Sequence, residues 1–160
     1  MKKALIIMIP ILLLVGCKKN KELALNEKVA KEFLEEMNAL DDFETKYFSD
    51  SSPLAKAPSS ENSIEVKDAA KLTEDAVAGL KNISGTSVSP EAMPFYMGAL
   101  EYIDAVNAQG QAAKDFFIES DPRMRAGYYE LVKENFQKLR NKPDSILAIQ
   151  KVYLDKVGIK

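Results

Sequence analysis

Three groups of carboxylates stand close enough along the chain to act together: Glu32, Glu35 and Glu36; Asp41, Asp42 and Glu44; and Glu101 with Asp104. Paired acids of this kind hold hard cations or share a proton in acid–base work. The competing reading of each is a solvated helix face. The first group is interleaved with Lys28 and Lys31, as solvated faces are. The second lacks the spaced oxygen ligands and turn glycine of a calcium loop. The third has the best spacing, on one side of a helix beside Tyr102, but no Glu-x-x-His pair accompanies it, so a carboxylate-bridged di-metal bundle is not indicated. No metal site and no cofactor are assigned.

The other chemistries fail on residue types. The chain has no histidine, which removes the commonest general base, the serine and cysteine triads and most zinc sites. Cys17 is the only cysteine, and no glycine-rich phosphate loop or dinucleotide fingerprint is present. The expectation is therefore a protein that is not an enzyme. One polar insertion remains: Asn107, Gln109 and Gln111 interrupt an otherwise apolar helix and are candidate contacts for a small ligand. Tyr102 and Tyr129 are expected at the surface, while Tyr47, Tyr96, Tyr128 and Tyr153 read as core-edge residues.

Helical periodicity supplies the elements that carry these residues. Val29, Phe33, Met37, Leu40, Phe43 and Tyr47 recur at spacings of three and four, predicting a helix over about Glu22–Phe48. Pro53, Pro58 and a cluster of serines make Ser49–Ser63 a loop. A second helix runs over Ile64–Ile83, with Ser63 as N-cap and Gly85 as stop. Ser89-Pro90-Glu91 opens a third, whose apolar face includes Ala99, Ile103, Val106, Gly110, Ala113 and Phe117. Ser120-Asp121-Pro122 opens a fourth, with Tyr128, Leu131, Val132, Phe136 and Leu139 inward. After Asn141-Lys142-Pro143 a short fifth carries Ile146, Ile149, Val152 and Tyr153. Nothing alternates with period two, and short connections favour antiparallel neighbours. The predicted fold is all-α: an up-and-down antiparallel bundle of four main helices plus a short C-terminal helix.

Upstream of the bundle lies a segment of another kind. Met1-Lys2-Lys3 is a basic head, and Ala4–Val15 is an uncharged apolar run spanning roughly 18 Å as a helix. That is too short for a bilayer core of about 30 Å but suits an export signal. Leu14-Val15-Gly16-Cys17 then closes the run. Residues 1–17 resemble bacterial lipoproteins processed by signal peptidase II, with Leu14, Val15 and Gly16 as the recognition residues and Cys17 as the first mature residue. The resemblance implies a lipidated Cys17, a lipid bilayer as partner, and a mature protein without a free thiol. It divides the chain into a signal peptide (1–16), a lipidated cysteine and polar tether (17–22) and a single bundle domain (23–158). Lys18 stands where enteric lipoproteins retained at the inner membrane carry Asp. The implied location is the outer membrane facing the periplasm in a two-membrane host, or the outer face of the cytoplasmic membrane in a one-membrane host.

Charge is uneven along the mature chain. Residues 18–120 hold eleven Lys/Arg against nineteen Asp/Glu, a net of −8, whereas residues 121–160 hold nine against five, a net of +4. Arg123, Arg125, Lys133, Lys138, Arg140 and Lys142 carry most of the excess and are candidates for an anionic-partner surface. The competing reading is that these cations neutralise acidic faces within the domain. Nucleic acid is not an expected partner, because the compartment is wrong and the chain is mildly acidic. Two functions follow as expectations. One is an envelope lipoprotein serving as a helical adaptor for a protein or envelope component. The other is a periplasmic small-ligand module with its pocket near the middle of the third helix.

Overall fold

A computed structural model of the chain describes the backbone of residues 2–49 and 53–159 and the side chains from residue 19 onward. The side chains of Leu14, Val15, Gly16 and Cys17 lie outside the described residues. Those described form five α-helices, α1 (Lys2–Phe48), α2 (Ile64–Ile83), α3 (Met93–Ile118), α4 (Pro122–Arg140) and α5 (Lys142–Val157), with one 3-10 turn at Pro53–Ala55 and no strand among them. The protein is an all-α helical bundle.

The ends of the helices follow their capping residues. Ser63 Oγ accepts from the Val66 N–H, and Gly85, at φ 72°, turns the chain away after α2; glycine meets no steric penalty in that region. Asp121 Oδ1 accepts from Arg123 N (2.8 Å) and Met124 N (3.0 Å) at the start of α4. Two starts differ from the sequence-based expectation. α1 is continuous with residues 2–21, since Lys18-Lys19-Asn20-Lys21 contains neither proline nor glycine to break it. α3 begins at Met93; Ser89 instead caps a preceding turn, its Oγ accepting from Ala92 N at 3.2 Å.

Contacts along the helices set their directions. Lys46 reaches Asp68 and Lys28 reaches Thr86, so α1 and α2 are antiparallel. Tyr96 donates to the Ile83 carbonyl, and Gly110 faces Ala69 and Thr73, so α2 and α3 are antiparallel too. α4 descends along α3, placing Arg125 and Tyr129 against Phe116 and Val132 against Gln109. α5 continues downward from Ile146 beside Gly98 to Tyr153 beside Phe95 and Glu22. Joined through Asn141 alone, α4 and α5 act in series as one descending leg. The bundle is thus up, down, up, then down in two segments, around α3.

α3 is buried on most sides because its small residues let neighbours close on it. A Cβ at Gly110 would lie 3.0 Å from the Ala69 carbonyl oxygen and from Thr73 N, so the α2–α3 crossing requires glycine. Phe33, Phe95, Tyr102, Ile103, Val106 and Phe116 fill the centre. At the end where α1, α3 and α4 meet the first loop, Phe43, Tyr47, Phe48, Phe116, Phe117, Tyr129 and Phe136 form a connected aromatic cluster. Several apolar positions expected inside are instead open to solvent: Leu131, Ile149 and Val152 are exposed. α4 and α5 line only one side of α3, so half of each helix has no neighbour to bury it.

Candidate functional site

Most of the acidic candidates sit in solvent; Glu44 is half-buried against Arg140, and two others are buried. Glu35, Asp41, Asp42, Glu101 and Asp104 are exposed, whereas Glu32 and Glu36 are buried where α1 crosses α2. Gly79 makes the crossing close, its Cβ position lying 3.5 Å from Glu32 Oε2 and 3.6 Å from Glu36 Oε1. Glu32 accepts from Asn82 Nδ2 at 3.3 Å, while Glu36 Oε2 has no hydrogen-bond partner. Burial, then the negative charges of Asp75, Glu32 and Glu35, raise the Glu36 pKa to about 7. Reading Glu32 and Glu36 as a solvated face is therefore corrected. No group of three or more metal-ligating side chains is assembled among the described residues.

The polar insertion in α3 does not converge. Gln109 is fully buried and its Nε2 donates to the Val132 carbonyl at 3.0 Å, tying α3 to α4. Gln111 is exposed and donates to Asp115, and Asn107 is half-buried. Residues two apart on a helix are separated by about 200°, so the three cannot share one pocket wall. Tyr102, expected at the surface, is buried edge-on to Phe33 at 5.1 Å, and burial raises its pKa to about 12. Tyr129 is half-buried on Phe116. Tyr153, expected at the core edge, is buried, with its hydroxyl on Glu22.

The six cations of the C-terminal third do not form one patch. Lys133 pairs with Glu130 and Lys138 with Glu134, both along α4 itself, and Arg140 reaches across to Glu44. Arg123 and Lys142 have no ion pair within 4 Å among the described residues, and α4 separates them, Arg123 lying in its first turn and Lys142 at the start of α5. Arg125 leaves the surface altogether. It is buried, with its guanidinium carbon 4.6 Å from the centre of the Phe116 ring and Nη2 donating to the Pro53 carbonyl at 3.3 Å. Its Nε and Nη1 find no acceptor among the described residues. These groups border a cleft of about 330 Å³ between the first loop, the end of α3 and the start of α4. Backbone pairing of Ser59 N with the Phe117 carbonyl at 2.8 Å holds the loop over it.

At the opposite end of the bundle, Glu22 forms a node. Tyr153 Oη donates to the Glu22 backbone carbonyl at 2.8 Å and lies 2.9 Å from its carboxylate, to which Ser89 Oγ also donates at 3.1 Å. Gln150 reaches Asn26 nearby, and Gly158 approaches Lys19. Glu22 is therefore part of the packed domain and not of a free tether, which moves the domain boundary to within a few residues of Cys17. No helix among the described residues is long and apolar enough to cross a membrane.

Neither the Glu22 node nor the Arg125 cleft has a counterpart to borrow a function from: no known family, curated protein or solved structure matches the chain.

Proposed function

We propose that the chain is a membrane-anchored bacterial envelope lipoprotein whose helical bundle is a non-enzymatic interaction module. The anchor is Cys17, lipidated on its sulfur before the chain is cut behind Gly16. The observation that carries this reading is the Glu22 node. Tyr153 and Ser89 bind a residue only five positions after Cys17, roughly 8 Å along a helix. A bundle closed this near to a lipidated residue lies against the headgroups, with Lys19 and Lys21 beside an anionic surface. Its other end, from Glu22 to Phe48 along α1, extends up to about 40 Å outward. That geometry suits a short pillar presenting its aromatic end to the compartment beyond the membrane, where a protein or envelope component meets it.

Nothing in the residue inventory calls for catalysis, since the chain has no histidine and its only cysteine is used by the lipid. The alternative pocket near the middle of α3 gains no support, because Gln109 faces away from Asn107 and Gln111 and is spent on Val132. Fractionation of cells carrying Cys17→Ser tests the anchor. The variant should accumulate as uncut precursor or appear in the soluble fraction. A cut product that stays on membranes as before would overturn the reading.

A further inference from the structure

We infer that the cleft at the outward end of the bundle binds a small organic carboxylate with an apolar body, and that Arg125 is the residue that receives its carboxylate. Arg125 is 6 % exposed, yet Nε, which carries one hydrogen, and Nη1, which carries two, have no acceptor among the described residues. A guanidinium with most of its hydrogens unpaired is costly to bury, and the Phe116 ring and the single Pro53 carbonyl offset only part of that cost. An oxyanion supplies the missing acceptors through charge-assisted bonds, for which arginine is the preferred donor.

The surroundings select the kind of anion. The cleft volume of about 330 Å³ is at the small end of ligand pockets. Phe116, Phe117 and Tyr47 line it and offer ring faces to an aliphatic or aromatic body. Carboxylates nearby are already engaged: Glu65 accepts from Ser59 Oγ at 2.6 Å and Asp68 from Lys46 at 2.7 Å. Lys56, exposed at the mouth, adds a second cation. Lys46, also in the lining, is neutralised by Asp68, so Arg125 and Lys56 against Glu65 leave room for about one negative charge, which favours a monocarboxylate over a phosphate. The inference does not depend on the lipid anchor.

Calorimetry and thermal shift on the full chain in non-ionic detergent test it, with benzoate and hexanoate as probes, benzamide as the neutral control and sulfate as the bare anion. Both carboxylates should bind and raise the melting temperature, and benzamide and sulfate should not. Arg125→Met should weaken benzoate binding by about tenfold or more, while melting at or above the wild-type temperature in the absence of probe. Lys56→Gln, at an exposed position, should weaken it by up to about fivefold; this arm stands even if Arg125→Met does not fold. Equal responses to benzoate and benzamide, or binding undiminished in a folded Arg125→Met, would overturn the inference. So would sulfate binding as well as benzoate, or no carboxylate response at concentrations on the order of 10 mM, since the Arg125 donors would then be met from within the chain.

Discussion

Glu36→Gln should make the protein more stable above neutral pH and leave it unchanged in acid. The folded chain holds this carboxyl at a pKa of about 7, against 4.5 for an ordinary glutamate. The groups facing it come from three helices: Glu32 and Glu35 on α1, Asp75 and Lys71 on α2, and Tyr102 on α3. Of these only Lys71 opposes the shift, and it is itself paired with Asp75. A carboxyl whose pKa is raised by folding binds its proton more tightly in the native state. Stability from this group is therefore complete below about pH 4.5 and declines as pH rises to about 7. The shift corresponds to about 3 kcal/mol lost across that window. In a chain of this length that is roughly 6–12 °C in melting temperature.

Glutamine keeps the shape and cannot ionise. Urea denaturation of wild type and Glu36→Gln between pH 4 and 8 should give curves that coincide at pH 4 and separate by up to about 3 kcal/mol at pH 8, the variant being the more stable. Asp68 and Glu65 titrate the other way. Lys46 lowers the pKa of Asp68 and Ser59 lowers that of Glu65, so each contributes stability that is lost as pH falls. Both pairs are solvent-screened and contribute less than Glu36. The wild type should accordingly be most stable at about pH 4.5 to 5, with Asp68 and Glu65 ionised in the folded chain and most of the Glu36 contribution still present. Parallel curves for wild type and variant, or a variant less stable at pH 8, would refute the burial argument.

Three further substitutions probe the packing. Gly110→Ala should destabilise by about 2 kcal/mol in urea titration despite the better helix former, because Thr73 N and the Ala69 carbonyl are backbone atoms that cannot move aside. Tyr153→Phe should cost about 1–3 kcal/mol and raise amide hydrogen exchange over residues 19–26; unchanged exchange there would show that Glu22 does not fasten the start of α1. Gln109→Met should change stability by no more than about 1 kcal/mol, since it removes one bond to Val132 and also one buried carbonyl without a partner. A loss of several kcal/mol would mean that Gln109 does more than bridge α3 and α4.

The sequence alone determined the elements. Periodicity and capping residues set α2 at its observed limits, the Asp121-Pro122 start of α4 and the all-helical bundle, because these depend on neighbours within a turn or two. The register of the core was also legible. Spacings of four and three run through Val29, Phe33, position 36, Leu40, Phe43 and Tyr47, and through Phe95, Ala99, Tyr102, Val106, position 109, Ala113 and Phe116. Arg125 stands seven residues before Val132, and Glu22 seven before Val29, in the same manner. Charge reads Glu36 and Arg125 as surface and Glu22 as tether, and the amide reads Gln109 as a ligand contact, although the position of each already lies on the inner face. What only the tertiary structure decided is what each meets there: Gly79 opening space beside Glu36, Val132 facing Gln109, Tyr153 and Ser89 closing on Glu22, and Phe116 under Arg125. Those partners lie on other helices, and the energy of a buried polar group depends on the atoms across the interface, which spacing along one helix does not encode.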